Sequence, residues 1–219
     1  ATAVEEAWLE ELYPDDFNEH ISVLYDRGQK RVVARRERRF RDLALDARDD
    51  ATPPEDEAAR LLAEEILNGS IKLRHWTDEA DHWIARVNFA SVHCPELGAA
   101  FLDAEGRRLL LEQLCLGASS AKEVREREVW PVLREWLSME QRAAPESLVP
   151  EAIELPRRRK PVRIDYSPDG QKATLAARVQ DFYDVPGNAL TIAGGRVPLV
   201  LQILAPNGRP AQVTTDLDA

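Results

Sequence analysis

The chain has 219 residues, 44% of them hydrophobic and 31% charged, and a net charge of −10 at pH 7, which predicts a globular protein rather than a disordered one. Its two cysteines lack CxxC spacing and no run of about 18 apolar residues occurs, which excludes a disulfide framework and a membrane span. No basic segment followed by an apolar run opens the chain, so a signal peptide is also excluded and we expect a cytoplasmic protein.

The first 50 residues predict a short helix followed by a β-hairpin. Apolar residues recur at helical spacing from Val4 to Leu12. His20–Tyr25 and Lys30–Leu45 are β-prone runs joined by Asp26-Arg27-Gly28-Gln29, where Gly28 is expected to supply a positive φ. We expect the second of these strands to carry most of its charge on an exposed edge or ribbon, because unpaired guanidinium groups are costly to bury.

The middle of the chain, residues 51–150, predicts a helical section. A polar linker over residues 49–57 precedes it, and Pro54 is placed to open the first helix. Asn68-Gly69 is a typical helix end. The predicted helices are Ala58–Leu67, Thr77–His93, Asp103–Leu116, Val129–Leu137 and Met139–Ala144.

Residues 151–219 predict a return to β structure. A short helix through Arg178 and Tyr183 and turns at Ser167–Gly170 and Pro206–Gly208 interrupt this section. The predicted strands are Ala152–Leu155, Val162–Tyr166, Lys172–Leu175, Arg196–Leu204 and Pro210–Thr215. The fold class is therefore α+β, with a hairpin unit (1–50), a central helical bundle (51–150) and a C-terminal β-rich unit (151–219).

The short motifs that suggest an enzyme have simpler structural explanations. Asp78-Glu79-Ala80-Asp81 spells the DEAD box of a helicase, but it follows Thr77 at the start of a predicted helix, where acidic residues favour the helix dipole. No GxxxxGK[ST] phosphate loop, GxSxG or HExxH motif occurs. We therefore expect no catalytic residue, no metal site and no cofactor in this chain.

The histidines and tryptophans also favour structural roles. His93 and Cys94 are adjacent, but no spaced set of further ligands accompanies them, and His82 is expected on a helix surface. The five tryptophans, Trp8, Trp76, Trp83, Trp130 and Trp136, lie among aliphatic residues at helical spacing, which favours core packing over base stacking. Phe40, between two arginines, is the aromatic residue best placed among cations.

Two clusters of positive charge stand out in this acidic chain. Residues 27–41 contain eight basic residues and one acidic residue, and residues 157–163 contain five basic residues and no acidic one. We call the candidate binding residues of the first cluster the N-terminal basic tract: Lys30, Arg31, Arg35, Arg36, Arg38, Arg39 and Arg41. Those of the second form the C-terminal basic tract: Arg157, Arg158, Arg159, Lys160 and Arg163.

The tracts allow two interpretations that the sequence leaves open. Basic stripes are typical of surfaces that follow a phosphate backbone without reading base sequence, so single-stranded RNA or DNA is one expected partner. Alternatively, the arginines pair with carboxylates of the same chain and the region is a protein-interaction or regulatory module.

Several blocks of residues, in the same order along the whole chain, resemble the C-terminal accessory region of bacterial DEAH-box ATP-dependent helicases of the HrpB type. These blocks are Tyr25–Leu43, Trp83–Val87, Cys94–Gly98, Leu114–Ala118, Gly195–Leu199, Leu204–Pro210 and Gln212–Thr214. The resemblance implies a non-catalytic piece of an ATP hydrolase that moves on nucleic acid, with its motor upstream in the same polypeptide as a partner. It also implies that ATP and Mg²⁺ bind in that motor, and that the present chain is cut at both ends.

Overall fold

The computed structural model describes residues 6–138, 148–186 and 190–215, and within them an α+β architecture. The helices are α1 (Glu6–Leu12), α2 (Glu55–Leu67), α3 (Asp78–His93), α4 (Ala104–Cys115), α5 (Ala121–Arg125) and α6 (Trp130–Glu135). The strands are β1 (Phe17–Asp26), β2 (Arg31–Phe40), β3 (Leu43–Ala51), β4 (Ala152–Ile153), β5 (Val162–Tyr166), β6 (Ala173–Arg178), β7 (Thr191–Ile192), β8 (Val197–Pro198), β9 (Val200–Leu204) and β10 (Pro210–Thr214). The predicted fold class is confirmed, whereas the predicted helix Met139–Ala144 lies outside the described residues.

The chain forms two compact units, and the division between them falls inside α4. Unit 1 comprises Ala1–His75 and Arg108–Glu128, and unit 2 comprises Trp76–Arg107 and Val129–Ala219. Each unit has its own cluster of buried apolar side chains. No helix in the described parts of either unit is long and apolar enough to cross a membrane.

Unit 1 is built on a three-stranded antiparallel sheet in the order β1-β2-β3. Its core includes Val32 of β2, Leu62 of α2, Ile71 and Val124 of α5, each at most 2% exposed. The backbone N–H of Val32 donates to the carbonyl of Ser119 at 2.8 Å. The residues just before α5 are thereby bonded to the start of β2.

The β1–β2 hairpin is confirmed, but its turn uses a different residue for the left-handed conformation. Lys30, with φ of 55°, occupies that region, and Gly28 does not. The carboxylate of Asp26 accepts hydrogen bonds from the backbone N–H groups of Gly28 and Gln29 at 2.7 and 3.0 Å. The aspartate thus stabilises the turn, as short polar side chains commonly do.

The run predicted as a single strand over Lys30–Leu45 is two strands. Arg41 takes a φ of 51° and reverses the chain, so that β3 follows and pairs with β2. The strand that carries the N-terminal basic tract is therefore central in its sheet, and the prediction of an exposed edge is wrong. The physical reason is that carboxylates from other elements pair with its arginines and reduce the cost of placing them there.

Unit 2 contains a five-stranded sheet in the order β10-β9-β6-β5-β4, with β6 and β9 parallel. Side chains of β5 alternate between buried and exposed, so that Val162, Ile164 and Tyr166 point to the core while Arg163 does not. The core also contains Phe89 of α3, which is fully buried. One face of β5 thus points to the core that contains α3, and its other face carries Arg163 and Asp165.

Asn88 and Gly170 fix the contact between α3 and the turn after β5. The side-chain amide of Asn88, which is 2% exposed, donates to the carbonyls of Leu102 and Pro168 at 3.2 and 3.0 Å. Its oxygen accepts from the N–H of Leu102 at 2.7 Å. Gly170 has φ of 68°, and a Cβ there would lie 2.6 Å from the Asn88 carbonyl oxygen. Only glycine fits this approach without displacement of backbone.

Two predictions about buried positions are wrong. The helical spacing over Asp103–Leu116 predicts Leu109 on the inward face, but Leu109 is 46% exposed and Leu111 is buried instead on α4. Trp8 is 53% exposed and the other four tryptophans are only partly buried, so they are not the centre of either core. Small and aliphatic residues fill that space, because helices can approach closely where alanine is frequent.

Candidate nucleic-acid interface

Five arginines of the N-terminal basic tract, four on β2 and Arg41 in the turn after it, are paired with carboxylates of the same unit, and we call these five the strand arginines. Those carboxylates belong to α1, to the turn after it, and to all three strands of the sheet. The pairs are Arg35 with Asp49, Arg36 with Glu19, Arg38 with Glu10, Arg39 with Glu37, and Arg41 with Asp16. The second of the two interpretations assumed such intramolecular pairing; its further part, an interaction or regulatory role, stays a prediction.

In two of these pairs a hydrogen bond shifts the pKa of at least one member. Nε of Arg35 lies 2.8 Å from Oδ1 of Asp49, and the hydrogen bond lowers the pKa of the Asp49 carboxyl and raises that of the guanidinium. Nε and Nη2 of Arg41 donate to Oδ2 of Asp16 at 2.9 and 2.6 Å, and this hydrogen bonding to a carboxylate raises the pKa of Arg41. These pairs are solvent-exposed, so water and salt screen them and they add little to stability.

Aromatic rings accompany the same arginines. The guanidinium of Arg38 lies 5.2 Å from the Phe17 ring centroid, and that of Arg41 lies 5.7 Å from Tyr13 and 5.5 Å from Phe40. Phe40 itself is half-buried and packs on Phe17 at a centroid distance of 5.1 Å. The face of Phe40 is thus occupied by its own neighbours.

Lys30 and Arg31 differ from the rest of the N-terminal basic tract. Both are exposed, and neither forms an ion pair with a carboxylate in the part of unit 1 that the structure describes. They lie at the β1–β2 turn, where the N–H of Ala121 donates to the Lys30 carbonyl at 2.9 Å. Their charge is available to a ligand at that end of the sheet.

The C-terminal basic tract lies in unit 2, on the loop between β4 and β5 and at the start of β5. All five of its side chains belong to exposed residues. Arg157 pairs with Asp184 at 2.7 Å and Arg158 pairs with Asp181 at 3.3 Å. In the described residues of unit 2 the other three cations have no carboxylate partner: Arg159, Lys160 and Arg163.

An exposed aromatic ring stands beside this loop, which the sequence analysis missed. Tyr183 is 51% exposed, and the guanidinium of Arg157 lies 5.2 Å from its ring centroid. The predicted helix through Tyr183 ends one residue earlier, as a 3-10 turn over Val179–Phe182, so Phe182 is buried and Tyr183 is not. Asp184, with φ of 67°, then redirects the chain. The following Asp-Val-Pro sequence was the signal that a helix could not continue.

A hollow adjoins the same loop. It has a volume of about 410 Å³ and is lined by Glu154, Leu155, Pro156, Arg158, Arg159 and Pro161. Its size is within the range of small-molecule sites, and cations line one side of it. The loop, the hollow and the exposed ring give unit 2 the combination of positive charge and aromatic surface that single-stranded nucleic-acid sites use.

The motifs judged structural from the sequence have structural partners. The DEAD tetrad lies in the first turn of α3, where Asp81 accepts from Nε1 of Trp76 at 3.0 Å and pairs with Arg107 at 3.4 Å. Thr77 holds the N-cap position, although its hydroxyl makes no capping hydrogen bond. No group of three or more potential metal ligands occurs in the described ranges.

His82 differs from its prediction. Instead of lying on the helix surface, it is half-buried, with Nε2 2.7 Å from the Ile164 carbonyl oxygen and its ring 5.8 Å from that of Tyr166. The histidine therefore links α3 to β5, the strand that carries Arg163. The apolar pattern could not show this contact because the acceptor is a backbone carbonyl.

Comparison with known proteins decides the family. A family model described as ATP-dependent helicase C-terminal, of the HrpB type, matches residues 110–219, which is half of the chain. The chain belongs to the HrpB C-terminal family. The resemblance found in the sequence blocks is thereby confirmed.

Relatives of this HrpB-type region are known in sequence and in structure. The chain is 30% identical to the ATP-dependent RNA helicase HrpB of Escherichia coli (strain K12) over 200 residues, which cover 90% of the chain and 24% of that protein. A crystal structure of the E. coli DExH-box NTPase HrpB matches 98% of the chain with a TM-score of 0.66 and 28% identity. A crystal structure of the E. coli DEAH/RHA helicase HrpB matches 92% with a TM-score of 0.61 and 28% identity. The chain thus spans about a quarter of the length of these relatives.

Proposed function

We propose that this HrpB-type C-terminal region holds single-stranded nucleic acid, independently of base sequence, through the C-terminal basic tract. The observation that carries the proposal is the exposed loop of unit 2, on which three cations lack intramolecular partners and Tyr183 is open to solvent. Phosphates pair with the cations and a base stacks on the ring. Within the N-terminal basic tract, Lys30 and Arg31 could add to the contact.

The difference between the two tracts follows from what a phosphate must displace. A cation without a carboxylate partner releases counterions when it binds a phosphate, and this release drives affinity. A strand arginine such as Arg35 or Arg41 must first leave its aspartate, which then repels the phosphate. Binding by the C-terminal basic tract is therefore favoured over binding by the strand arginines.

The parent protein that we propose is an ATP-dependent RNA helicase, a role supported by the family and by the name of the E. coli relative. In it, the motor domains lie in the same polypeptide and bind ATP and Mg²⁺. The present region then acts without catalysis, by keeping the substrate strand near the motor.

The test is the salt dependence of binding between the chain and a fluorescein-labelled single-stranded RNA. If three unpaired cations contact phosphates, log affinity should fall with log salt with a slope of about −2 from these contacts. The triple variant Arg159→Ala, Lys160→Ala, Arg163→Ala should lose that part of the slope.

A matched control separates this effect from net charge. The triple variant Arg35→Ala, Arg39→Ala, Arg41→Ala also removes three positive charges, but from arginines that are paired with carboxylates. It should leave the slope nearly unchanged, with circular dichroism verifying that both variants are folded. An equal loss of slope in both variants would refute the assignment to the loop.

Replacement of Tyr183 tests the aromatic part separately. Loss of one stacked base costs about 1–3 kcal/mol, so Tyr183→Ala should weaken binding roughly five- to 150-fold and leave the salt slope as it is. Phenylalanine at the same position keeps the ring and should bind like the wild type. Equal weakening by alanine and phenylalanine would show that stacking is not involved.

A second function is favoured for unit 1 by the carboxylate pairing of its strand arginines. In this alternative the unit is an interaction or regulatory module of the same helicase. In the full-length parent, the Arg35, Arg39 and Arg41 triple variant should then change ATP turnover at saturating RNA without changing the Kd for RNA. A rise in that Kd would instead make these arginines RNA ligands.

A further inference from the structure

A small cavity in unit 1 lies under the β1–β2 turn, outside the loop to which the proposed function is assigned. Its volume is about 170 Å³, and its polar lining comprises Tyr25, Arg27, Lys30, Glu65, Ser70 and Arg125. Backbone hydrogen bonds hold its walls together, from Ala121 N–H to the Lys30 carbonyl at 2.9 Å and from Arg74 N–H to the Arg125 carbonyl at 3.0 Å. The cavity is therefore framed by the turn, by the end of α2 and by α5.

Glu65 supplies a hydrogen-bond acceptor that the protein itself does not use. Its side chain is 11% exposed, and Oε1 lies 3.4 Å from Nη2 of Arg27. Oε2 is buried and has no hydrogen-bond partner among the described residues. Burial alone raises the pKa of this carboxyl, but the polar side chains of Ser70, Arg27 and Asn68 outweigh burial and lower it. Glu65 is thus a charged carboxylate whose Oε2 forms no hydrogen bond among the described residues, although the side chains of Ser70 and Asn68 lie close enough to stabilise its charge.

The cavity also contains donors without acceptors. Nε of Arg125 is buried and has no hydrogen-bond partner in the described parts of unit 1. The Lys30 ammonium forms no ion pair there, and Arg27 is 77% exposed at the mouth. Three cations thus surround one carboxylate, and a buried polar atom without a partner is costly enough to call for an explanation.

These groups together define the ligand. An inorganic anion without a proton, such as sulfate, would satisfy Lys30 and Arg125 but leave Oε2 of Glu65 without a donor. A metal cation or an amine would satisfy Oε2 but be repelled by the surrounding positive charges. The complementary ligand carries an anionic group and, a short distance away, a hydroxyl that donates.

We propose that the cavity binds the ribose phosphate of a ribonucleotide, with the 2′-hydroxyl donating to Oε2 of Glu65 and a phosphate accepting from Lys30 and Arg125. Its volume equals that of about five or six water molecules at roughly 30 Å³ each, which suits a sugar edge and a phosphate but leaves the base outside. Since the 2′-hydroxyl distinguishes RNA from DNA, the site selects RNA without reading sequence. It goes beyond the proposed function, because it lies in the other unit and adds a preference that phosphate contacts lack.

The experiment compares oligonucleotides that differ only at the 2′ position. The 219-residue chain is titrated with twelve-residue uridine RNA, with deoxyuridine DNA of the same length, and with the 2′-fluoro analogue. A hydrogen bond to a charged carboxylate predicts a preference for RNA of about tenfold or more over both analogues. Equal affinities for the three strands would overturn the proposal.

Variants on the protein side locate the preference. Arg27 donates to Oε1, so in Glu65→Gln the amide oxygen is expected to turn to Arg27 and the NH2 group to replace Oε2. This variant should bind RNA and DNA with nearly equal affinity. The matched control Glu64→Gln, on the exposed side of α2, should keep the wild-type preference. An unchanged preference in Glu65→Gln would show that another site selects RNA.

Charge removal in the cavity has its own control on α5. Arg125→Gln should weaken RNA binding several-fold more than Lys122→Gln, which removes an equal charge from an exposed position of the same helix. Uridine monophosphate and deoxyuridine monophosphate are then added as competitors of the bound RNA. Displacement by uridine monophosphate alone would indicate a free nucleotide as the occupant, and no displacement would indicate an RNA strand. The Arg159, Lys160 and Arg163 triple variant changes the salt slope but not the RNA preference, so failure of one proposal is distinguishable from failure of the other.

Discussion

Replacing Asn88 with alanine is expected to destabilise unit 2 by about 3–4 kcal/mol. The amide makes three hydrogen bonds, two with Leu102 and one with Pro168, and it is 2% exposed. The two bonds that the amide donates contribute about 1 kcal/mol each net, and loss of the third leaves the N–H of Leu102 buried without a partner, which costs about 1–2 kcal/mol, the lower part of the usual range. Entry of a water molecule into the space would recover part of this loss.

The assay is urea unfolding followed by tryptophan fluorescence. The fluorescence reports mainly on unit 2, because four of the five tryptophans belong to it. These are Trp76, Trp83, Trp130 and Trp136. With a slope of about 2 kcal/mol per molar urea, the transition midpoint should fall by roughly 1.5–2 M. Val92→Ala, on the exposed side of the same helix, is the control and should shift the free energy of unfolding by less than about 0.5 kcal/mol. If the transition midpoint of Asn88→Ala equals that of Val92→Ala within error, the claim that these hydrogen bonds stabilise unit 2 is refuted.

Three further outcomes are expected. Gly170→Ala should lower the free energy of unfolding by at least about 2 kcal/mol in the same assay, from a left-handed φ plus a clash with backbone, whereas Gly208→Ala, at similar φ in open space, should cost only about 1 kcal/mol. Burial raises the pKa of the Cys115 thiol to about 12, so mass spectrometry should find it unmodified by iodoacetamide at pH 8 until the chain is unfolded. The hydrogen bond from Arg196 lowers the folded pKa of Glu96, so this pair stabilises the fold above the unfolded pKa of about 4.3 and stops doing so as pH falls through the folded pKa. Between pH 3 and 6, the free energy of unfolding of Glu96→Gln should therefore depend less on pH than that of the wild type.

The elements that the sequence predicts well are those whose signals are local. Asn68-Gly69 ends α2 with Gly69 at φ of 83°, and the predicted helix Thr77–His93 agrees with α3 except that Thr77 is its N-cap. The reversal at Arg41 carried no such signal, because an arginine rarely takes positive φ and the charge pattern continued across it. The third strand of unit 1 was missed for that reason.

The pairing of most of the strand arginines could not be predicted because every partner except Glu37 is distant in sequence. Arg41 reaches Asp16, and Arg35 reaches Asp49 only because the chain reverses between them. A one-dimensional pattern counts the positive charges of a strand but not the carboxylates that the fold brings to them. The same limit concealed Tyr183, whose exposure depends on where a 3-10 turn ends.

Because each unit is assembled from two separated stretches of chain, neither can be excised by one proteolytic cut or expressed as one uninterrupted fragment. During synthesis, residues 76–107 leave the ribosome before residues 108–128, which complete unit 1. These residues include α3, which is therefore synthesised before the sheet of unit 2. We expect this delay to couple the folding of the two units in time, and we expect a truncation after residue 75 to yield an insoluble product, since Val32 then lacks the Ser119 carbonyl.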